Sequence, residues 1–565
     1  MNKRWILKPV SDAEIESIQN ELKVNSTFAR LLALRGITNK QKAISFFNPK
    51  LSSLHDPFLM QDMPEAVLRI EMAIKKNENI LVYGDYDVDG TTSVAMMYDF
   101  LHQYTDNISF YIPDRYTEGY GISEQAIDTA IDSEVDLIIA LDCGIKAIDK
   151  VQKAHDAGID MIICDHHEPG EQLPPALAVL DPKRSDCKYP YKELSGCGVG
   201  FKLIQAFLIR KEIPVEAAYQ YLDLLAISIG ADLVPLTGEN RVMAYFGLQL
   251  LNQNPRPGIK ALLNASNKNK QLSMGDIGFH IGPRINAAGR MDQGVKAVKL
   301  LTSSNPMEIE DIAKDIENDN TTRREFEQFI TEEAIQQYES LPNFQDLKTI
   351  FVYQDNWNKG VIGIVASRLV ERYYKPCVIL TQSNGVWCGS ARSVAGFNLY
   401  EALERCLPTM IQFGGHAHAA GMTVAAEQIE SFKAAFEKAV SASITDEQLI
   451  PQIHIDSAIN LSEINDSFLN FVNQLGPFGP GNSKPSFVCE HLKVKGEPRM
   501  LKGLHLKATM TDDQSKKTID SIGFNFANRL SVIQNNTHFR GVFTLEENHW
   551  NGNKSIQMLL RDISD

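Results

Sequence analysis

Asp85, Asp87 and Asp89 stand at alternate positions in GDYDVDG (84–90), directly behind the apolar run Ile80-Leu81-Val82-Tyr83. Unpaired carboxylates about 4 Å apart repel by roughly 1 kcal/mol in water and by about 4 kcal/mol at an effective dielectric near 20. Something must offset that repulsion, and a bound cation does so. The string D-x-D-x-D-G also matches the start of a calcium-binding EF-hand loop, which requires glutamate at its twelfth position and a helix in front. Counting from Asp85, the twelfth residue is Met96, and the preceding segment is strand-like. The EF-hand reading fails on both points.

A wider set answers better. Asp142, Asp165, His166, His167 and Asp232 add carboxylates and imidazoles to the triplet. Together they suit one or two divalent cations. Mostly oxygen ligands favour Mg²⁺ or Mn²⁺ over zinc, and an imidazole tilts the choice toward Mn²⁺. Two such ions about 3.5 to 4 Å apart serve an in-line phosphoryl displacement, so hydrolysis of a phosphoester is the expected reaction. Taken singly, Asp142 and Asp232 read equally well as helix caps, and the two histidines as satisfied loop groups. Taken jointly, four acid-rich segments are harder to explain that way. Cys143 and Cys164, beside these residues, read as small packing groups.

The elements that must position them are short apolar runs alternating with helix-like stretches: ILVYG (80–84), DLIIALD (136–142), MIICDHH (161–167) and ALAVLDP (177–182). That alternation predicts βαβ units and a parallel sheet. In such sheets ligands gather at the carboxyl ends of the strands. The Asp85 triplet, Asp142 and Asp165-His166-His167 each lie just past a strand, so they are expected to converge on one rim. Residues 302–341 are polar and nearly free of glycine, which predicts a long connecting helix. A second α/β pattern follows. From about 450 the helix signal stops and short strands predict a small β barrel or sandwich. The first 57 residues are helix-rich, carry no chemical motif and are given a packing role.

Bulk properties exclude several classes. Hydrophobic residues make up 44% and charged residues 22% of the 565 residues. That is ordinary for a globular chain of several domains, and no apolar stretch reaches the roughly 18 residues of a membrane span. The early apolar segment WIL is too short for a signal peptide. The eight cysteines form no C-x-x-C pair, which predicts reduced thiols in a cytoplasmic protein. A net charge of −15 argues against coating nucleic acid by bulk electrostatics. Residues 481–510 oppose that sign, with six basic residues against two acidic ones.

The motifs YGDYDVDGTTS (83–93), LDCGI (141–145), CDHH (164–167) and GADLVPL (230–236), in this order, resemble those of the DHH phosphoesterase superfamily. PRINAAGRM (283–291), GSARS (389–393), GGHAHAAG (414–421) and LGPFGPGN (475–482) narrow the resemblance to its branch of single-stranded-DNA exonucleases. The resemblance implies a 5′ to 3′ exonuclease using two Mn²⁺ or Mg²⁺ ions in DNA repair and recombination. The implied fold class is α/β. A helical segment (1–57) precedes a parallel-sheet DHH domain (58–300), a connecting helix (301–345), a DHH-associated domain (346–445) and an oligonucleotide-binding (OB) barrel (450–565).

Carried over by resemblance, Asp85, Asp87, Asp89, Asp142, His166 and Asp232 hold metal, and Asp85 and His167 are the catalytic candidates. Arg115, Ser390 and Arg392 grip a 5′ phosphate. Arg284, Asn286 and Arg290 hold backbone phosphates, and His416 faces the cleft. Phe478, Phe487, Lys484, Lys502, His505 and Lys507 are candidates for binding the strand on the barrel. The partner expected is single-stranded DNA, with a helicase and a single-strand-binding protein as further partners, no membrane, and a monomeric state. Rival readings are a DHH phosphodiesterase of short oligonucleotides or cyclic dinucleotides, and a DNA-binding scaffold without catalysis.

Overall fold

The computed structural model describes residues 3–267, 270–291, 294–383, 385–513, 515–550 and 552–565. At the N-terminus strand β1 (Arg4–Leu7) precedes three short helices, each started by a side chain that accepts an amide of its first turn: Ser11, Asn25 and Asn39. β1 pairs in parallel with a strand almost 450 residues away, and Ile18, Leu31 and Leu32 share one core with Phe468 and Phe487 of the C-terminal barrel. The packing partner of the first helices is therefore the far end of the chain.

The first sheet contains β2 (Ile80–Gly84), β3 (Ile108–Tyr111), β4 (Leu137–Leu141), β5 (Asp160–Cys164) and β6 (Ala178–Leu180), in the order β3-β2-β4-β5-β6. All pairings are parallel. β2 and β4 are buried along their whole length, which is why they read as continuous apolar runs rather than alternating ones. Every acidic segment singled out above follows the carboxyl end of one of these strands, apart from Asp232. That residue ends the helix Leu222–Asp232.

The connecting helix runs from Pro306 to Glu339, inside the predicted span. Ile309, Ala313 and Ile316 pack into the core of the first sheet, and Ile330, Ala334 and Tyr338 into the core of the second α/β unit. One helix thus belongs to two cores. The second unit orders β7 (Ile350–Tyr353), β8 (Cys377–Ser383), β9 (Val386–Arg392), β10 (Gln412–His416) and β11 (Ala419–Val424) as β10-β11-β9-β8-β7.

After β12 (Gln452–Ile455), which receives β1, come β13 (Ser457–Ala458), β14 (Phe487–Leu501), β15 (His505–Thr511), β16 (Thr518–Gly523), β17 (Phe539–Trp550) and β18 (Asn553–Ser564). Their order is β13-β14-β15-β16-β18-β17, and a further β14–β17 pairing closes the sheet into a barrel. Closure removes the exposed edges. The helix signal does not stop at 450 as expected: Asp466–Gln474 is an amphipathic helix that buries Phe468, Leu469 and Val472. Among the described residues, no helix is long and apolar enough to cross a membrane.

Candidate metal centre

The rim of the first sheet gathers the carboxylates. Asp87 caps the helix Val88–Leu101 by accepting from the Gly90 amide, which places Asp89 in the first turn. Asp89 is buried against a second helix start: its Oδ2 accepts from the Gly196 amide at 2.7 Å, and its Oδ1 accepts from the Cys197 amide and the Ser228 hydroxyl, both at 2.8 Å. Amides at a helix N-terminus favour an anion there. Asp142 follows β4 directly with φ +60°, a left-handed conformation that aspartate tolerates better than most side chains.

His166 is the hub. Its Nε2 lies 3.1 Å from Asp142 Oδ1 and 3.7 Å from both Asp89 Oδ2 and Asp232 Oδ2. Yet His166 Nε2, Asp142 Oδ1 and Asp85 Oδ2 are buried and take no hydrogen bond. The short His166–Asp142 contact is misaligned for one. Buried polar atoms without partners are costly, so a cluster of three on one rim calls for a ligand. Two triplets bring their ligand atoms within 4.8 Å of one another, Asp142/His166/His167 and Asp89/His166/Asp232. The donor set and the orphaned atoms fit Mn²⁺ or Mg²⁺.

Proton affinities tell the same story. Burial, with the Asp87 charge next, pushes the Asp85 carboxyl well above its usual range, and burial with the Asp89 charge does so for Asp142. Asp232 is pushed up to about 8 by burial and then by Asp89 and Asp87. Burial lowers His166. Such a set is uncomfortable without positive charge.

Asp165 and His167 stand apart. Asp165 Oδ1 accepts from the backbone amides of His166 and His167 and pairs with His167 Nδ1 at 2.7 Å, while its Oδ2 accepts from the Ile145 amide. Against its burial, these contacts hold Asp165 down to about 2. Its partner His167 is raised to about 9 in spite of burial, chiefly by the hydrogen bond to Asp165. Asp165 is saturated and orients the histidines. His167 Nε2 meets the Tyr120 hydroxyl at 3.0 Å.

Beside the metal rim sits a nest of guanidinium groups. Arg115 lies over the Tyr86 ring at 4.9 Å. Arg290 donates to the Gly360 carbonyl and is driven down to about 9 by burial and then by the Arg115 charge. Arg392 donates to Ser390 Oγ at 3.0 Å and is lowered by burial, with Arg115 again opposing its charge. A Cβ on Gly363, at the start of the helix Ile362–Tyr373, would lie 3.0 Å from both Arg392 Nη2 and Ser390 Oγ, so that helix start faces the same spot. Cations that repel one another around a helix start await an anion.

Arg284, expected on backbone phosphate, is turned elsewhere: its fork grips Glu317 of the connecting helix at 2.5 and 3.1 Å and its Nη1 donates to the His280 carbonyl. As placed, it fastens the connecting helix. Asn286 is half-buried, one turn before Arg290 on the helix Gly282–Met291. His416 is exposed at the end of β10, and its proton affinity is lowered by burial and also by the charges of Arg392 and His167. His416 ends β10 and His418 lies in the tight turn before β11, with the two rings 6.0 Å apart. Of the three glycines in that segment, Gly415 is the one whose added Cβ would collide, 2.3 Å from the Ala419 carbonyl. On the barrel, Phe487 is fully buried and belongs to the core, whereas Phe524, unnoticed in the sequence, is 54% exposed beside His505.

Gly196 explains a glycine-rich stretch that sequence reasoning passed over. A Cβ there would lie 2.6 Å from Asp142 Cβ. Gly196→Ala is expected to cost about 1 to 3 kcal/mol of stability through overpacking and to weaken Mn²⁺ binding by displacing Asp142. Thermal denaturation and Mn²⁺ titration of the purified variant check both effects; unchanged Mn²⁺ binding contradicts the assignment.

Comparison with known proteins matches residues 79–229 to the DHH family N-terminal domain, 346–442 to the DHHA1 domain and 455–562 to the RecJ OB domain. The single-stranded-DNA-specific exonuclease RecJ of Bacillus subtilis is 37% identical over 99% of this chain and 71% of its own length. That of Haemophilus influenzae is 34% identical over 96% and 97%. Among solved structures, RecJ of Thermus thermophilus in complex with Mn²⁺ superposes with a TM-score of 0.84 at 25% identity, covering 100% of this chain and 79% of that one. A RecJ exonuclease bound to manganese gives 0.61 at 30% identity, covering 70% and 98%. Three domain matches in register with three observed units, and relatives similar over nearly the whole of this chain, have one consequence: this chain belongs to the RecJ family.

Proposed function

We infer that this chain is a metal-dependent exonuclease specific for single-stranded DNA, hydrolysing phosphodiester bonds from the 5′ end. The observation that carries the reading is the pairing of a buried carboxylate–imidazole cluster with a nest of mutually repelling arginines beside it. The first suits phosphoryl transfer and the second suits a terminal phosphate. The relatives' activity supports it. Asp87, Asp89, Asp142, His166 and Asp232 would hold the cations, with Asp85 on the second ion. Bound there, the cations supply the positive charge that stabilises an in-line displacement at phosphorus.

The side chains do the rest. Arg115, Arg392 and Ser390 bind the 5′ phosphate, and Arg290 the next backbone phosphate. Asp165 on Nδ1 raises His167 to about 9, so Nε2, which meets the Tyr120 hydroxyl in the structure, would be a charged donor to a phosphoryl oxygen that takes that hydroxyl's place. The barrel would hold the continuing strand. A cleft between units joined by one helix would admit a single strand and exclude a duplex by width. A cytoplasmic monomer that follows a helicase and a single-strand-binding protein in repair and recombination is the setting we propose.

Incubation with Mn²⁺ and end-labelled DNA tests this: 5′-phosphorylated single strands should be degraded and blunt duplexes spared. Equal rates on the two contradict it. Arg392→Ala should lower the preference for 5′-phosphate over 5′-hydroxyl strands roughly 10- to 100-fold, the worth of a hydrogen bond to a charged group. Strands with either end, assayed side by side, give the ratio.

A further inference from the structure

The order β3-β2-β4-β5-β6 lays the rim out as a line. At one edge Arg115 follows β3. The Asp85 triplet, Asp142 and Asp165-His166-His167 follow β2, β4 and β5 in turn. At the other edge β6 ends at Leu180, and the chain turns through Asp181-Pro182-Lys183. With neighbouring strands about 4.8 Å apart, four steps span about 19 Å, the length of a few nucleotides. The arginine nest occupies the β3 edge, so a strand whose 5′ end is gripped there and whose scissile bond lies over the carboxylates must leave toward β6.

Lys183 is built into that exit. Asp181 is fully buried, and its Oδ1 accepts from the Lys183 amide at 2.7 Å, which pins the turn. The ammonium reaches back over the histidine segment, where Nζ lies 3.4 Å from Oε1 of Glu168, the residue after His167. The Lys183 side chain is 21% exposed and the Glu168 side chain 77%. An ion pair with so exposed a carboxylate is worth about 0 to 1 kcal/mol, so a phosphate readily takes its place. The Asp165 amide donates to the Leu180 carbonyl at 3.0 Å, so the turn that carries Lys183 leaves the sheet beside the Asp165–His167 segment.

We propose that Lys183 receives the phosphate immediately 3′ of the scissile one, so that the sheet rim reads strand polarity from β3 to β6. The proposal rests on the exonuclease reading above. Arg115 and Lys183 then hold the strand on both sides of the reacting phosphorus, one by its terminus and one by its continuation. A lysine suits the second task, since a point charge accepts an internal phosphate without demanding a terminal one.

The test uses the full chain with Mn²⁺ and 5′-phosphorylated single strands, either unmodified or with one neutral methylphosphonate just 3′ of the cut. Lys183→Met should raise KM about tenfold with kcat within about twofold and lower the salt dependence of binding by about one ion, as loss of one phosphate contact does. The methylphosphonate should raise the wild-type KM by the same factor and leave the Lys183→Met enzyme unchanged. Lys183→Arg should restore KM, and circular dichroism of both variants reports their fold. An unchanged KM in Lys183→Met, a loss confined to kcat, or a variant as sensitive to the neutral linkage as wild type overturns the proposal. A wild-type chain that degrades no single strand overturns the exonuclease reading instead, so the two failures are distinguishable.

Discussion

Asp89→Ala lowers the rate of strand degradation by at least about a thousandfold, some 4 kcal/mol of lost transition-state stabilisation, while single-strand binding stays within about twofold. The effect is expected to be this large because Asp89 does two things at once. It offers Oδ2 to the centre 3.7 Å from His166 Nε2, and it ties the helix Val88–Leu101 to the start of the helix Gly196–Arg210 through Gly196 and Cys197. Alanine removes a ligand and leaves two buried amides and the Ser228 hydroxyl without their acceptor. Asp89→Asn is no milder, since its amide NH₂ would face backbone N–H groups donor to donor. The DNA contacts proposed above lie on Arg115, Arg290, Arg392, Lys183 and the barrel, which neither change touches. A variant that keeps a tenth of wild-type turnover in a single-turnover assay contradicts the ligand role.

Mn²⁺ affinity should fall steeply with acid. Asp232 is raised to about 8, so below that pH it carries a proton that a cation must displace; burial raises Asp85 and Asp142 in the same direction. Each proton released makes the apparent affinity change about tenfold per pH unit. Between pH 6 and 8 the affinity is therefore expected to rise by at least about tenfold and to flatten above 8. Stability in the absence of metal runs the other way. The Asp232 carboxyl, raised in the folded state, contributes stability that is complete below its unfolded value near 4 and is lost as pH rises through about 8. Adding Mn²⁺ at a hundred times its Kd should return about 2.7 kcal/mol. Calorimetric titrations and thermal melts at pH 6, 7 and 8, each with and without chelator, test both signs. Affinity independent of pH, or a metal-free chain most stable at pH 8, refutes the account.

The chemistry was legible in the sequence where it follows local rules. Apolar runs that stop at Asp85, Asp142 and Asp165 predict strands ending at one rim, and β2, β4 and β5 end there. The connecting helix was legible from composition because glycine and proline are the strong interrupters of helices. What was not legible depends on partners far away in the chain. Nothing near Arg284 announces that Glu317 will take its guanidinium. Nothing in the first helices says that their apolar faces meet Phe468 and Phe487 of the barrel. Phe487 and Phe524 look alike as letters, yet one is core and the other surface, because the closure of β14 on β17 decides which face is inside. The alternation of His416 and His418 would suit a strand, yet His418 lies in the turn that follows β10. Gly196 was visible in SGCGVG and went unread, since a close approach has meaning once its partner, Asp142, is known.

The central claim is that acids and imidazoles from β2, β4, β5 and the helix Leu222–Asp232 share divalent cations. It is tested most directly by counting Mn²⁺ per chain, by calorimetry and electron paramagnetic resonance, in the wild type and in Asp142→Asn. The account predicts two ions with a spin-coupled spectrum in the wild type, and loss of the coupling with at least one ion gone in the variant. Wild-type protein that binds no Mn²⁺, or a variant that binds two as tightly, would contradict it.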